Sequence, residues 1–303
     1  MKVINFDDSI KLNNTIVTVG KFDGVHKGHD KLFRTMEENA AGRKKVVLAF
    51  ESEPKDFLNH DEQKTILTES EKQLFCARHG IDVYMRMPLT EEFLAYTPEE
   101  FVTKILKNKI GATTIVCGAD FRFGKQARGD IYFLKENQVK LDYKIIVVEK
   151  EQYNKTDISS TLIRSRIAQG KMEEVNDMLG NPYSIIGKVV GGAQIGRTIG
   201  LPTANIIPGK NKLLPPRGVY RSVVVYNNRA YSAITNIGKN PTVSGTGSTR
   251  VETHLLDFEG DLYDEIIEIK LYSFMRPEKK FDSLTELKEQ IKQDIEEIKA
   301  QKK

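Results

Sequence analysis

The chain has 303 residues, of which 39% are hydrophobic and 29% are charged, and its formal net charge is +4. This length accommodates two globular domains, and no apolar run approaches the roughly 18 residues of a membrane span. Acidic residues near the start stand where a signal peptide would carry its apolar core, so we expect a cytoplasmic protein. The mild positive charge suits phosphorylated substrates and does not by itself indicate nucleic acid.

The first 180 residues alternate between strand-like and helix-like segments. Five runs rich in valine and isoleucine, typical of strands covered on both faces, lie at 15–20, 45–50, 81–85, 113–118 and 144–149. Apolar residues recur at helical spacing at 28–40, 63–78, 97–109 and 130–139, and two further helices are predicted at about 159–169 and 171–179. Strands separated by helices predict a parallel sheet, so we expect a Rossmann-like α/β domain over residues 1–182.

From residue 183 to about 275 the strand-like segments follow one another without helices, and turn signals such as PPRG, YNNR and FEGD separate them. Closely spaced strands of this kind predict a small antiparallel β-barrel. At the end, Ser283–Glu286 matches a capping box, and apolar residues from Leu284 to Ile298 follow at helical spacing. We therefore predict a second domain at 183–303, a barrel with a C-terminal helix.

The stretch GKFDGVHKGH follows the strand at 15–20, at the kind of position where parallel sheets bind ligands. Gly20 and Gly24 permit a tight turn and close approach of the backbone to a ligand, and Gly28 stands where the next helix should begin. His26 and His29 would then both point at an anion near the helix N-terminus. Two other interpretations remain: a zinc site, whose histidines more often lie four residues apart with a third ligand nearby, and a purely structural role.

Two further segments carry groups suited to a nucleotide. ISSTLIR supplies three hydroxyl groups at a helix start (159–161) and Arg164 one turn on, which suits a triphosphate; the simpler interpretation is a serine cap with a solvated arginine. The loop 118–130 contains two phenylalanines, two arginines and three glycines. Such a loop is suited to contact an adenine or flavin ring, and the alternative is a plain basic loop.

Together and in this order, the three segments resemble the adenylyltransferase module of prokaryotic bifunctional riboflavin kinase/FAD synthetases, a nucleotidylyltransferase module with the HxGH signature. The resemblance implies that His26 and His29 stabilise the phosphates of ATP during transfer, that 159–164 holds the β and γ groups, and that Mg²⁺ offsets charge. The residues so implied in ATP binding are Gly20, Phe22, Gly24, Gly28, Asp120, Phe121, Ser159, Ser160, Thr161 and Arg164.

One segment departs from the family pattern, which usually reads Phe-Glu/Asp-Pro-His-Pro after the second strand. Here FESEP, at 50–54, has Ser52 and Glu53 in place of the proline and the histidine. The segment is associated with the flavin side of the site, where the resemblance implies a contact from Phe50. A carboxylate near the anionic FMN phosphate is unfavourable unless it binds Mg²⁺ or points away. A riboflavin kinase with a weak or altered adenylyltransferase module is therefore the near alternative.

The second half carries GKVVGGAQIGRTIGLPTANI at 187–206, which lacks the G-K-[ST] of a Walker A motif. A glycine-rich hairpin over phosphates and a plain turn leading into a strand are both compatible with it. In context it resembles the riboflavin kinase module, which implies Mg²⁺ ligation by Thr203 and Asn205, two oxygens on one face of an extended strand. The phosphate contacts implied for this half are Gly187, Gly192, Gly196 and Arg197.

The riboflavin 5′-hydroxyl is a poor nucleophile, so its phosphorylation requires a base. Glu252 lies in a strand-like run with apolar neighbours, which would hold it partly buried at the site; an exposed strand carboxylate is the simpler interpretation. The resemblance implies that Glu252 is this base and that Arg276 lies in a loop that closes on the flavin. His254 shares the face of Glu252, and we expect it to support the site or the fold.

The resemblance covers nearly the whole chain and predicts two ATP- and Mg²⁺-dependent reactions, riboflavin to FMN in the C-terminal module and FMN to FAD in the N-terminal one. The expected partners are riboflavin, FMN and ATP, with no nucleic acid and no membrane; the oligomeric state is not predicted. The alternative of a different class is an RNA-binding protein, and the absence of tryptophan and of interleaved basic–aromatic runs argues against it. No KMSKS-like segment accompanies HxGH, which argues against a tRNA synthetase.

Overall fold

The computed structural model describes residues 1–7, 9–50, 64–192, 196, 200–209, 211–239 and 249–300. The chain divides into two compact units, Met1–Ser160 and Thr161–Lys303. The first unit contains a parallel sheet and the second contains a barrel. The boundary predicted after residue 182 concerns the sequence modules and stays a prediction.

The first unit is built around a six-stranded sheet. Its strands are β1 (Lys2–Asn5), β2 (Thr15–Gly20), β3 (Lys44–Phe50), β4 (Val83–Met87), β5 (Ala112–Gly118) and β6 (Lys144–Val148), and a separate ribbon is formed by β7 (Gln152–Tyr153) and β8 (Thr156–Asp157). Its helices are α1 (Lys27–Glu38), α2 (Glu69–Arg78), α3 (Glu91–Ala95), α4 (Pro98–Glu100) with the π-helical segment that continues it (Phe101–Lys109), a 3₁₀ turn (Lys125–Ala127) and α5 (Ile131–Asn137).

The strand order is β1-β4-β3-β2-β5-β6, and every neighbouring pair is parallel, which confirms the predicted α/β fold. The chain moves outward from β2 through β3 to β4 and then returns to the other side of β2 with β5. This reversal leaves a crevice at the carboxyl ends of β2 and β5, where open parallel sheets bind ligands. The strand Lys2–Asn5 was not anticipated, because it is short and mostly exposed at the sheet edge.

Both faces of the sheet are covered. Val17 and Leu48 belong to one buried apolar cluster, whereas Ile16 and Val47 belong to another, and all four side chains are inaccessible to solvent. Since consecutive residues of a strand point to opposite faces, this division places one cluster on each side of the sheet. It explains why these strands are apolar at nearly every position rather than at every second one.

The second unit contains a closed barrel of antiparallel strands in the order β10-β13-β12-β11-β14-β9, which confirms the predicted barrel. The strands are β9 (Tyr183–Val190), β10 (Ala204–Ile206), β11 (Gly218–Tyr226), β12 (Arg229–Lys239), β13 (Thr249–Leu255) and β14 (Ile266–Arg276). The helices of this part of the chain are α6 (Ser160–Ala168), α7 (Met172–Leu179) and α8 (Leu284–Ala300). Among the helices described, none combines the length and the apolar character that a membrane span requires.

Helix α8 is the predicted C-terminal helix. At its start the hydroxyl group of Ser283 accepts the backbone N–H of Glu286 at 3.2 Å, while the Glu286 carboxylate accepts the N–H of Asp282 at 3.3 Å. Near its end Ile298 is 2% exposed and packs against apolar residues of the barrel strands, Val219 among them. The helix therefore covers part of the outer face of the barrel.

Replacing Ile298 with alanine should lower the free energy of unfolding by about 2–4 kcal/mol, because the substitution leaves a cavity under α8. Lys292→Ala, at an exposed position of the same helix, should change it by less than about 0.5 kcal/mol. Urea-induced unfolding of the full chain measures both. Equal effects of the two substitutions would contradict the packing of α8 on the barrel.

Candidate active sites

The loop between β2 and α1 has a strained backbone. Phe22 and Val25 have φ angles of 52° and 38°, which are costly for residues that carry a Cβ, and most of all for β-branched valine. Both side chains are at most 2% exposed, so their packing in the core holds the loop in this conformation. Gly24 has a φ of 98°, and a Cβ there would lie 3.1 Å from the side chain of Ile66. The loop is therefore preorganised before any ligand binds.

His26 caps the N-terminus of α1. Its Nδ1 accepts the backbone N–H of Gly28 at 3.2 Å, so in the neutral ring the proton resides on Nε2. A Cβ at position 28 would lie only 3.1 Å from the imidazole, which explains the need for a glycine here. The cap leaves the Nε2–H group of His26 as a hydrogen-bond donor.

The imidazole rings of His26 and His29 are stacked, with centroids 3.9 Å apart. Burial lowers the pKa of His26 to about 4, although nearby Asp120 opposes this shift. Burial, with His26 as a second cause, lowers the pKa of His29 well below its usual value. Both rings are thus neutral at pH 7. Nδ1 of His29 is buried and has no hydrogen-bond partner among the described residues.

A cavity of about 220 Å³ opens beside the two histidines, at the crevice of the sheet. The predicted site residues that line it are Gly20, Phe22, His26, Gly28, His29, Asp120, Phe121, Ser159 and Ser160. The hydroxyl group of Ser160 donates to the backbone carbonyl of Asp23 at 2.7 Å, which fastens the start of α6 to the strained loop. The first unit therefore brings together residues that are up to 140 positions apart in the sequence.

Other predicted residues lie elsewhere. Gly24 shapes the loop but is not part of the cavity lining, and Thr161 and Arg164 follow in α6, within the second unit. Phe50 ends β3, and its ring centroid lies 5.6 Å from that of Phe93, outside the lining of this cavity. The departure from the family pattern, residues 51–54, lies outside the described residues.

Lys150 is a charged residue of this cavity that sequence reasoning missed. Its Nζ lies 2.9 Å from the Asp120 carboxylate and 3.4 Å from that of Asp157, and the hydrogen bond to Asp120 is the main cause that raises the pKa of Lys150. Its position just after β6, at the edge of the crevice, is the sequence feature that could have identified it. Lys150 is thus a cation paired with carboxylates in a cavity that Glu149 and Glu151 also line.

In the barrel, strand register places five residues in one row. Asn205 pairs with Glu252, Glu252 with Asn236, Asn236 with Val219, and Val219 with Arg276. Because directly opposed residues of antiparallel strands project from the same face, these side chains share one surface. The residues on either side of Glu252 in its strand are fully buried, so the shared surface is the outer face of the barrel.

Glu252 is held by an arginine on its own strand. Nη2 of Arg250 lies 2.5 Å from Oε1 of Glu252, and Nε of Arg250 donates to Oδ1 of Asn205 at 2.6 Å. Burial raises the pKa of the Glu252 carboxyl, Arg250 opposes this rise, and the negative charge of Glu278 adds to it. A carboxylate with a raised pKa is suited to accept a proton.

Two neighbours shape the surface around this carboxylate. Oδ1 of Asn236 is buried without a partner among the described residues, while Nδ2 lies 3.5 Å from Oε1 of Glu278. His254 Nδ1 lies 2.8 Å from the carbonyl oxygen of Pro202 and must donate to it, since a carbonyl only accepts. This hydrogen bond ties His254 to the residue that precedes Thr203, and its supporting role stays a prediction.

A cavity of about 260 Å³ extends over this surface, and its lining includes Gly196, Thr203, Glu252, His254 and Arg276. Gly192 lies beside Arg250, because a Cβ there would be only 2.5 Å from its Nη2. Gly187 lies in β9 against Ile206, away from the cavity. Arg197 lies outside the described residues.

At the other end of the row, Arg276 is clamped by Asp294 of α8. Its Nε lies 3.0 Å from Oδ1 and its Nη2 lies 2.7 Å from Oδ2, and Asp294 is only 4% exposed. The guanidinium also lies 6.0 Å from the ring centroid of Phe281. Apolar side chains, Val219 and Ile234, form the wall between this end and Glu252. The cavity thus has charged groups at both ends and an apolar wall between them.

The comparisons with known proteins match both units. The family of FAD synthetases matches residues 8–162, and the family of riboflavin kinases matches residues 179–302. A bifunctional riboflavin kinase/FMN adenylyltransferase of Buchnera aphidicola is 38% identical over 99% of this chain and 98% of its own. One from Escherichia coli K12 is 34% identical over 92% and 90%.

A solved structure from Streptococcus pneumoniae has a TM-score of 0.87 at 32% identity and covers 98% of each chain. It is described as a macrolide-efflux protein, and that description applies to the S. pneumoniae protein alone. The likeness over the full length of both chains supports the fold of the two units described above.

The neutral state of His26 predicts an acid-sensitive fold. Since its pKa is about 4 when folded and near 6.5 when unfolded, protons bind preferentially to the unfolded chain below pH 6.5. His26 should therefore lower the free energy of unfolding by about 2 kcal/mol on going from pH 7 to pH 5. His26→Asn keeps an N-cap acceptor but does not titrate, so this variant should lose less stability over that range. Urea unfolding at both pH values measures this, and equal losses in the two proteins would contradict a buried, neutral His26.

Proposed function

The chain belongs to the family of bifunctional riboflavin kinase/FMN adenylyltransferases, and we propose that its two candidate sites divide the two reactions between them. The protein phosphorylates riboflavin to FMN and adenylylates FMN to FAD, with ATP as the co-substrate of both steps. The alternative of a kinase with a weak first module is not favoured, because both families match and the named relatives carry both activities.

The cavity beside His26 and His29 is proposed as the adenylyltransferase site. The FMN phosphate attacks the α-phosphorus of ATP, the bond to the β-phosphate oxygen breaks, and pyrophosphate leaves. The attacking oxygen is already anionic, so positioning and charge stabilisation are needed rather than a base. The neutral imidazoles supply N–H donors, the first turn of α1 supplies backbone N–H groups, and Lys150 supplies positive charge.

The outer face of the barrel is proposed as the kinase site. Glu252 accepts the proton of the riboflavin 5′-hydroxyl as that oxygen attacks the γ-phosphorus of ATP and ADP leaves. The raised pKa of Glu252 supports this role, because a stronger base accepts the proton more readily. The apolar wall beside Arg276 suits the flavin ring, and the clamp by Asp294 keeps the guanidinium in place for that contact.

We propose Thr203 and Asn205 as the residues that hold Mg²⁺ in the kinase site. Mg²⁺ prefers oxygen ligands and completes its shell with water and substrate phosphates, for which one hydroxyl and one amide oxygen suffice. The contacts of Arg250 support a cation at this position, because its guanidinium already lies between Oδ1 of Asn205 and Oε1 of Glu252. When bound, the metal would offset the negative charge of the phosphates during transfer.

The partners that fit these sites are riboflavin, FMN and ATP, and we propose no nucleic acid or membrane among them. We propose the cytoplasm as the compartment, since ATP and riboflavin must both be available there.

The row from Asn205 to Arg276 is the observation that supports the kinase assignment. It brings the proposed base, a proposed metal ligand and the apolar wall proposed for the flavin ring to one surface. Incubation with riboflavin, ATP and Mg²⁺, followed by separation of the flavins, tests both steps. If FMN forms but FAD does not, the adenylyltransferase assignment is wrong. If no flavin product forms and the protein binds RNA in a salt-sensitive manner, the RNA-binding alternative is favoured.

Glu252→Gln should lower the rate of FMN formation about 10²–10⁴-fold, because an amide of the same shape cannot accept the proton. FAD formation from supplied FMN should be unchanged in the same protein. Glu259→Gln, an exposed position in the following loop, is the control and should leave both rates as in the wild type. Loss of FAD formation in a folded Glu252→Gln protein would contradict two separate sites.

His29→Asn should have the converse effect and lower FAD formation from supplied FMN about 10²–10³-fold, since the shorter amide does not place an N–H donor at the position of the imidazole Nε2. FMN formation from riboflavin should persist. His79→Asn is the matched control, because His79 lies against Asp30 of α1 with Nε2–Oδ1 at 3.0 Å and is absent from the cavity lining. If the two substitutions slowed FAD formation equally in folded proteins, the proposed role of His29 would be wrong.

A further inference from the structure

Arg250 occupies an unexpected place in the kinase site. It lies two residues before Glu252 in β13, so both side chains project from the outer face of the barrel. Its guanidinium bridges Oε1 of Glu252 at 2.5 Å and Oδ1 of Asn205 at 2.6 Å. These are the proposed base and a proposed metal ligand. Neither oxygen is therefore free for its catalytic task while the bridge persists.

The site is shaped to admit this arginine. The Arg250 side chain is only 19% exposed and Glu252 only 29%, so the pair is largely shielded from water. A Cβ at Gly192 would lie 2.5 Å from Nη2 of Arg250, which means that the glycine-rich segment leaves room for the guanidinium. On the neighbouring strand, Gly238 stands directly opposite Arg250. The bridge is therefore a packed feature and not a loose surface contact.

The bridge also has a clear physical reason. A shielded carboxylate without a partner is costly, and a guanidinium with two directed N–H groups satisfies it together with the amide oxygen of Asn205. A divalent cation would satisfy the same oxygens equally well. Repulsion between the two cations at close range disfavours their binding to the same two oxygens together.

We propose that Arg250 is the resident cation of the ligand-free kinase site, which keeps Glu252 paired and inactive until the magnesium nucleotide displaces it. Arg250 is in this sense a positioning residue: it orders Asn205 and Glu252 before the ligands arrive and releases them when they do. The inference rests on the kinase function proposed for the barrel. It makes release of the base conditional on loading of the metal and the nucleotide.

An Arg250 that must be displaced and an Arg250 that binds phosphate change the affinity for the magnesium nucleotide in opposite directions. If Arg250 must be displaced, only molecules in which the bridge is open bind the magnesium nucleotide. The apparent affinity then falls in proportion to the open fraction. Without the metal, the same arginine shields the phosphates from Glu252 and favours binding. A phosphate ligand, in contrast, favours binding under both conditions.

The experiment is a calorimetric titration of the full-length protein with ADP, in Mg²⁺ and separately in EDTA. Arg250→Gln removes the charge, and Arg250→Lys keeps it without the two-pronged geometry. Arg229→Gln removes an exposed arginine at the start of β12 and is the control. Nucleotide binding to the first unit is common to all four proteins, so differences between them report on the barrel. Unfolding temperatures of the free proteins show that each variant is folded.

We expect Arg250→Gln to bind ADP about tenfold more tightly than the wild type in Mg²⁺, if the bridge is closed in about nine molecules of ten, and more weakly in EDTA. Arg250→Lys should give a smaller increase in ADP affinity in Mg²⁺. If Arg250→Gln does not fold, Arg250→Lys alone tests the proposal. Arg229→Gln should match the wild type. Weaker binding of Arg250→Gln under both conditions, or no change under either, would overturn the proposal.

One further measurement separates this proposal from the function it rests on. If the wild type forms FMN from riboflavin but the affinities of Arg250→Gln are unchanged, only the role of Arg250 is wrong. If the wild type forms no FMN, the kinase assignment fails and the inference about Arg250 fails with it.

Discussion

The proposed kinase site depends on one constraint, the register of antiparallel strands in a closed barrel. A shift of one residue in β13 would turn Glu252 inward and Thr253 outward, because side chains alternate between the two faces. Hydroxyl groups inside the barrel oppose such a shift: Thr235 donates to Thr253 at 3.0 Å, and Ser222 lies 2.7 Å from Thr235. Among the described residues, each of the six strands pairs with a neighbour on both sides, which opposes slippage of any one of them. A buried chain of hydroxyl groups thereby sets the position of Glu252, the proposed base, on the opposite face.

In the first unit the corresponding constraint is the reversal of strand order at β2. It leaves the loop after β2 at the crevice, and the buried side chains of Phe22 and Val25 keep that loop in a costly conformation. The cost is offset by packing in the core, so the backbone N–H groups at the start of α1 are directed before a ligand binds. The hydrogen bond from Ser160 to the Asp23 carbonyl ties a residue 137 positions away to the same loop. Site geometry here follows from the core beneath it.

Much of this architecture could be predicted from the sequence, and the parts that could not share a physical cause. Alternation of apolar strands and helices indicated the parallel sheet, and closely spaced strands indicated the barrel, because both patterns are local in the chain. Lys150, Asn236 and Asp294 were missed because their roles arise from contacts across strands or between a helix and the barrel. Arg250 differs: its spacing of two from Glu252 was visible, but only the register with Asn205 explains the bridge.

The two acceptors require opposite electrostatics, and the two proposed sites differ in that sense. Riboflavin offers a neutral hydroxyl group, so its site needs a base, and burial raises the pKa of Glu252 accordingly. FMN offers a phosphate that is already charged, so its site needs donors, and burial lowers the pKa of His26 until the ring is neutral. Burial disfavours charge in both cases. It makes the carboxyl group a better base in the barrel, and in the sheet it keeps the histidines neutral, as the proposed role of N–H donors to phosphate requires, next to the Lys150–Asp120 ion pair.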